Sequence, residues 1–245
     1  MADLAAAYAE ARQGLVGLVQ GCDAAALARP VPACPDWTVH DVVAHVTGVA
    51  ADFVHGRYDL GSVDAWRDDR LAAARDAWTA GQVAARRDRP VAALAAEWAG
   101  WAATMEPMLG GAAPLPAGSP AWLRSAPVAD LAVHLHDVRG ALALPGDRDA
   151  AVTALGLRIY ARWLGQRLEA RGRPALRLRA GGREWVEGAG PPAATLAAEP
   201  FELFRALSGR RSADQLRSLA WDGDPAPYLD VLAPYPLPPS PLLEG

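Results

Sequence analysis

Asp130-Leu-Ala-Val-His-Leu-His-Asp137 is the stretch on which the reading of this 245-residue chain turns. On a helix, residues four apart stand one turn above each other, so the carboxylate of Asp130 and the imidazole of His134 converge on one point. Asp137 continues the same stripe. His136, two residues beyond His134, is rotated by roughly 200° and points elsewhere. An isolated Asp-x3-His pair is most often a surface hydrogen bond. An oxygen and a nitrogen donor on one helix face are also half of a divalent-metal site, and His45, far upstream on another predicted helix, is the natural third donor.

The segment leading to His45 predicts a rigid support for it. Thr38 caps the helix and Asp41, three residues on, answers as the acidic partner of a capping box, with Trp37 and Val42 in hydrophobic-staple positions. His45 then falls two turns in, on the face of Asp41. Two imidazoles and one carboxylate leave open positions on a zinc-like ion, the mark of a catalytic rather than a structural site. A thiol bound at such an ion would lose its proton and become a strong nucleophile near neutral pH. Asp137 and Asp41 are candidates for accepting the second ring N–H of a ligand histidine. His40 and His55 read as surface or capping residues and His136 as a surface or packing residue. Cys34 lies just ahead of a helix but has no partner base nearby in sequence, which argues against a nucleophile there.

Outward from these motifs the chain is helical first and mixed later, an α+β organisation. Leu4, Tyr8, Ala11, Leu15 and Leu18 form the apolar stripe of a bundle helix. Prolines at 30, 32 and 35 exclude helix from the crossing between Gly21 and Asp36. Residues 63 to 89, charged and alanine-rich, read equally as a solvated helix or a connection. Val91, Leu94, Trp98, Trp101, Met105 and Met108 give a bulky stripe that reads as core packing. Helix breakers fill residues 110 to 120, and a helix follows from about Trp122 to Leu142. Pro145-Gly-Asp147 predicts a boundary between a helical bundle over 1–145 and a small α/β domain over 146–245. The second part reads as a helix over 150–171, a hairpin of 175–179 and 183–187 around Gly181-Gly182, a strand near 195–198, short helices at 201–208 and 214–219, and an extended proline-rich tail over 234–241.

Composition excludes several classes. With 51% hydrophobic residues the chain can bury an ample core, and a net charge of −4 gives no basic footprint for nucleic acid or an anionic membrane surface. All 24 basic residues are arginine, which with the abundant alanine suggests a coding bias rather than a functional demand. The two cysteines, Cys22 and Cys34, make no CxxC and fit a reducing cytoplasm. The first twenty residues lack the basic start and unbroken apolar core of a signal peptide, and no stretch approaches the roughly 18 apolar residues of a membrane span.

Cys34-Pro-Asp-Trp-Thr-Val-His-Asp-Val-Val-Ala-His45 resembles the signature of the mycothiol-dependent maleylpyruvate isomerase family of actinobacteria, whose amino-terminal half is a DinB-like four-helix bundle. Asp130-Leu-Ala-Val-His-Leu-His-Asp-Val-Arg139 is similar to that family's second metal-binding stretch. Phe204-Arg-Ala-Leu-Ser-Gly-Arg-Arg-Ser212 and Leu219-Ala-Trp-Asp-Gly-Asp224 resemble its small α/β carboxy-terminal domain, and the order and spacing agree. The resemblance implies that His45, Asp130 and His134 hold a divalent ion, most simply zinc, and that mycothiol binds it through sulfur as thiol cosubstrate. The thiolate would attack a small-molecule electrophile, in isomerisation or in thiol transfer, inside the cytoplasm. Either Arg210 or Arg211 carries over as the family's carboxy-terminal catalytic arginine, meeting an anionic group. One departure stands out: the founding isomerase has glutamate where this chain has Asp130. That change is the support for a reading of a different class, a DinB-like protein that binds a metal or small ligand without turnover.

Overall fold

A computed structural model describes residues 3–57 and 72–244; the charged stretch from 63 to 71, left open above, lies outside the described residues. Helix α1 (Leu4–Gln20) starts at Asp3, whose side chain accepts hydrogen bonds from the amides of Ala5 and Ala6. It buries Ala7, Tyr8, Ala11, Leu15 and Val19. Leu18, expected in the stripe, is half-buried, because the track 8, 11, 15, 19 follows the 3.6-residue period more closely. The proline-rich crossing is not wholly irregular. A single helical turn, α2 (Ala24–Leu27), is capped by Asp23, and a small hairpin joins β1 (Pro30–Val31) to β2 (Cys34–Thr38).

β2 runs directly into α3 (Val39–His55), which opens with the expected capping box: Thr38 Oγ1 accepts from the Asp41 amide at 3.2 Å, and Asp41 Oδ2 accepts from the Thr38 amide at 3.0 Å. The helix is buried along most of its length because α4 (Ala72–Ala84), α5 (Val91–Gly110) and α6 (Ala126–Leu142) all pack on it. Residues 72–84 are thus helix, not connection. Trp98 on α5 is fully buried and donates its indole N–H to Tyr8 Oη at 2.9 Å, so the bulky stripe is core. The helix expected from Trp122 is divided. A 3₁₀ turn covers Ala121–Ser125 and α6 starts at Ala126, because Pro127 lacks an N–H and is tolerated only in a helix's first turn.

The carboxy-terminal part begins with α7 (Ala151–Ala170) and builds a four-stranded sheet in the order β4-β3-β5-β6. β3 (Ala175–Ala180) pairs antiparallel with β4 (Arg183–Glu187), as the Gly181-Gly182 turn predicts, and parallel with β5 (Pro192–Ala197). After α8 (Pro200–Leu207) and α9 (Ala213–Ser218) comes β6 (Ala220–Asp222), unanticipated because three residues carry no readable period. The proline-rich segment has neither helix nor strand, yet it folds back on the protein. Leu242 exchanges hydrogen bonds with Gln215 through both backbone groups, and Glu244 pairs with Arg205 and Arg211. Among the described residues no helix is long and apolar enough to cross a membrane.

The two parts share one buried core. At their seam, α7 crosses α6 where Gly156 stands: a Cβ there would lie 2.7 Å from Phe204 Cε2 and 3.0 Å from the Ala132 Cβ, so any side chain would push the layers apart. Asp137 of α6, buried at the same seam, pairs with Arg205 at 2.6 Å and Arg210 at 2.8 Å. Burial alone would raise its pKa, but Arg210 and then Arg205 outweigh burial and hold it well below the usual carboxylate range. Its contribution to stability is therefore complete above the unfolded value of about 4 and lost as pH falls through the folded one. Asp137→Asn is expected to cost about 3–5 kcal/mol in urea denaturation and to flatten the acid limb of the stability curve. Breaking the exposed Arg173–Asp230 pair with Arg173→Ala is expected to cost no more than about 1 kcal/mol in the same assay.

Candidate functional site

α3 and α6 bring together the three residues singled out by their spacing. His45, Asp130 and His134 are 2%, 8% and 6% exposed, and one ligand atom from each lies within 4.8 Å of the others. His45 Nε2 is 3.4 Å and His134 Nε2 3.6 Å from Asp130 Oδ1. Donors held by a tetrahedral ion at bond lengths of about 2.0–2.2 Å are separated by about 3.3–3.6 Å, so the shorter aspartate still reaches. Asp130 Oδ2 is buried with no hydrogen-bond partner among the described residues. Burial works to raise the pKa of Asp130, but His45 and His134 outweigh it and the carboxyl stays ionised. A buried anionic oxygen without a donor, beside two imidazole nitrogens, fits a zinc-like divalent ion.

The outer nitrogens of both imidazoles face oxygens, though only that of His45 has a hydrogen bond among the described residues. His45 Nδ1 lies 2.8 Å from Gln82 Oε1, and Gln82 in turn donates to Asp52 Oδ2 at 2.8 Å. His134 Nδ1 lies 3.1 Å from Asp137 Oδ2, where an outer carboxylate was expected. Asp41, the other candidate for that role, is elsewhere: its carboxylate turns back to the Thr38 amide and hydroxyl and to Arg87, as capping requires. Trp37 lies over the pair, its ring 4.8 Å from that of His45 and 5.9 Å from that of His134.

The remaining histidines stand apart. His136 donates from Nε2 to Thr153 Oγ1 at 2.8 Å and packs edge-on against Phe201. Burial, with Arg205 nearby, pushes its pKa down to about 3, and it serves as a neutral packing residue. His40 and His55 bond to the carbonyls of Arg89 and Ala51.

The two candidate arginines part company after the left-handed Gly209 (φ 77°). Arg210 turns inward, clasping Asp137 with Nε and Nη2, reaching the Ser208 carbonyl with Nη1, and lying 5.5 Å from the ring of Tyr235. Arg211 turns the other way, onto Glu202 at 2.6 and 2.8 Å and onto Glu244. Cys34 is drawn into the inner group, with Sγ 3.8 Å from Asp137 Oδ2 and 3.6 Å from Arg210 Nη2. Burial and then Asp137 push its thiol up to about 12, so it is protonated. The sequence reading missed Gln82, Asp52 and Arg205. Asp52 was detectable, since it lies seven residues after His45 on the same helical stripe; Gln82 and Arg205 depend on how distant elements approach.

A family model described as the mycothiol maleylpyruvate isomerase N-terminal domain matches residues 8–139. No curated protein matches the chain. Among solved structures, a mycothiol-dependent maleylpyruvate isomerase shares the fold at a TM-score of 0.56 and 14% identity, over 96% of this chain and 95% of that one. A histidine-to-alanine mutant of the mycothiol-dependent maleylpyruvate isomerase gives a TM-score of 0.59 and 13% identity over the same shares. With the family match spanning more than half of its length, from α1 to the end of the Asp130–Arg139 stretch, the chain belongs to the mycothiol maleylpyruvate isomerase family.

Proposed function

We propose that this chain is a mycothiol-using enzyme acting on an electrophilic small molecule, by isomerisation or thiol transfer, with His45, Asp130 and His134 as ligands of a zinc-like divalent ion. The observation that carries the metal reading is Asp130 Oδ2, an ionised oxygen buried beside two imidazoles with no donor among the described residues. Such an atom costs several kcal/mol unless a cation or proton completes it. When bound, a divalent ion supplies the positive charge that lets a thiol shed its proton near neutral pH. The protein's own groups then act around that point. Trp37 shields the imidazoles from solvent on one side. Asp137 Oδ2 lies 3.1 Å from His134 Nδ1, and Asp137 is itself held by Arg205 and Arg210. Arg210, though paired with Asp137, is the arginine on the site's side of Gly209 and would be the one to meet a carboxylate on the substrate or an anionic group on the thiol. Arg211, neutralised by Glu202 and Glu244, supports the domain rather than the chemistry.

Metal analysis of the purified protein is expected to find about one divalent ion per chain, falling to background in His45→Ala, His134→Ala and Asp130→Asn while Asp130→Glu retains it. Incubation with mycothiol and a panel of electrophiles including maleylpyruvate is expected to give isomerised product or a thiol adduct. Arg210→Lys, which keeps the charge on Asp137 but not the fork, should lower kcat/KM by about tenfold or more without altering metal content. Metal retention with neither isomerisation nor thiol consumption would sink the enzymatic reading in favour of a binding role.

A further inference from the structure

Along α3, His45, Gly48 and Asp52 form a stripe at spacings of three and four that faces Trp78 and Gln82, one turn apart on α4. A Cβ on Gly48 would lie 2.6 Å from the Cβ and 2.9 Å from the Cγ of Gln82. The missing side chain is what lets the Gln82 stem cross α3 between His45 and Asp52. Gln82 is 5% exposed there and touches one of these residues with each end of its amide.

The two ends of an amide are alike in shape and opposite in hydrogen bonding, so something must choose between them. An ionised Asp52 can only accept. It takes Trp78 Nε1–H at 3.0 Å and Gln82 Nε2–H at 2.8 Å on Oδ2, and Arg57 Nε–H at 3.2 Å on Oδ1. The –NH2 end of Gln82 is therefore committed to Asp52, and its Oε1 must face His45 Nδ1. An oxygen there accepts, so Nδ1 keeps its proton, and Nε2, which donates to Asp130 Oδ1 at 3.4 Å while no ion is bound, is the nitrogen free to give up its proton to a metal.

We infer that Gln82 and Asp52 are positioning residues that select the His45 tautomer able to bind metal through Nε2, Asp52 acting solely by orienting the Gln82 amide. The inference rests on the reading of His45 as a metal ligand, and its test separates the two. Zinc affinity, measured by competition with a chelator, is compared across wild type, Gln82→Met, Asp52→Ala and the double variant. Methionine keeps the stem over Gly48 and removes the acceptor. Gln82→Met is expected to weaken zinc about 10- to 100-fold, and Asp52→Ala by less. The double variant should be no weaker than Gln82→Met alone, because Asp52 has nothing left to orient. Losses that multiply in the double variant would overturn the relay. The second readout needs no metal: a protected, downfield ¹H–¹⁵N signal from His45 Nδ1 in metal-free wild type, lost in Gln82→Met and restored by Gln82→Glu, which returns an acceptor. Its absence in wild type overturns the inference. If the signal behaves as expected while wild type binds no divalent ion, the hydrogen-bond relay stands and the ligand role of His45 falls.

Discussion

Asp137 is a carboxylate with no route to water, and the arrangement of the whole seam follows from satisfying it. Its oxygens are shared among His134 Nδ1, Arg205 and Arg210, with the Cys34 thiol at its edge. Arg205 in turn is 0% exposed and needs a second anion, which Glu244 brings back from the far end of the chain. Glu244 also meets Arg211, which is answered by Glu202. Arginines and carboxylates thus alternate from the imidazole of His134 to the tail. Removing any member leaves a buried charge uncompensated, a far larger loss than the net gain from forming one pair. Apolar packing around Gly156 sets how closely the two parts approach, while this alternation sets their register.

The alternation also determines the state of the site's own sulfur. Cys34 sits among full charges, yet burial and the neighbouring carboxylate keep its thiol neutral despite Arg210. A thiol in that condition is a poor nucleophile and a poor competitor for a metal. The family to which the chain belongs is named for a soluble thiol, and a silent resident cysteine is consistent with a nucleophile that arrives from outside.

Much of this was legible from local pattern. The spacing of Asp130 and His134, the capping box ahead of His45, the stripe through Trp98 and the hairpin at Gly181-Gly182 each depend on residues within a few turns of one another. What escaped depends on approach between distant segments. Asp41 is on the face of His45 but is spent on the helix cap, so Gln82 from another helix holds the imidazole instead. Arg210 and Arg211 are indistinguishable by position; the left-handed turn at Gly209 separates them, one toward Asp137 and the other toward Glu202. The proline-rich tail carries no internal hydrogen-bond pattern to read, and its place is set by Glu244 and Leu242 finding partners on residues 205 to 215.

The pairs on Asp137 reach across 68 and 73 residues of chain. As the protein is synthesised, His45, Asp130 and His134 have all emerged while both arginines are still to be made. The helices, built from local contacts, can form early; joining such distant groups comes late because loop closure must precede it. Until then Asp137 remains a carboxylate free to stay in water, and the seam has every electrostatic reason to stay open. The contact between His45 and Asp130 spans 85 residues, so the candidate site, like the seam beside it, is assembled by segments far apart in the chain.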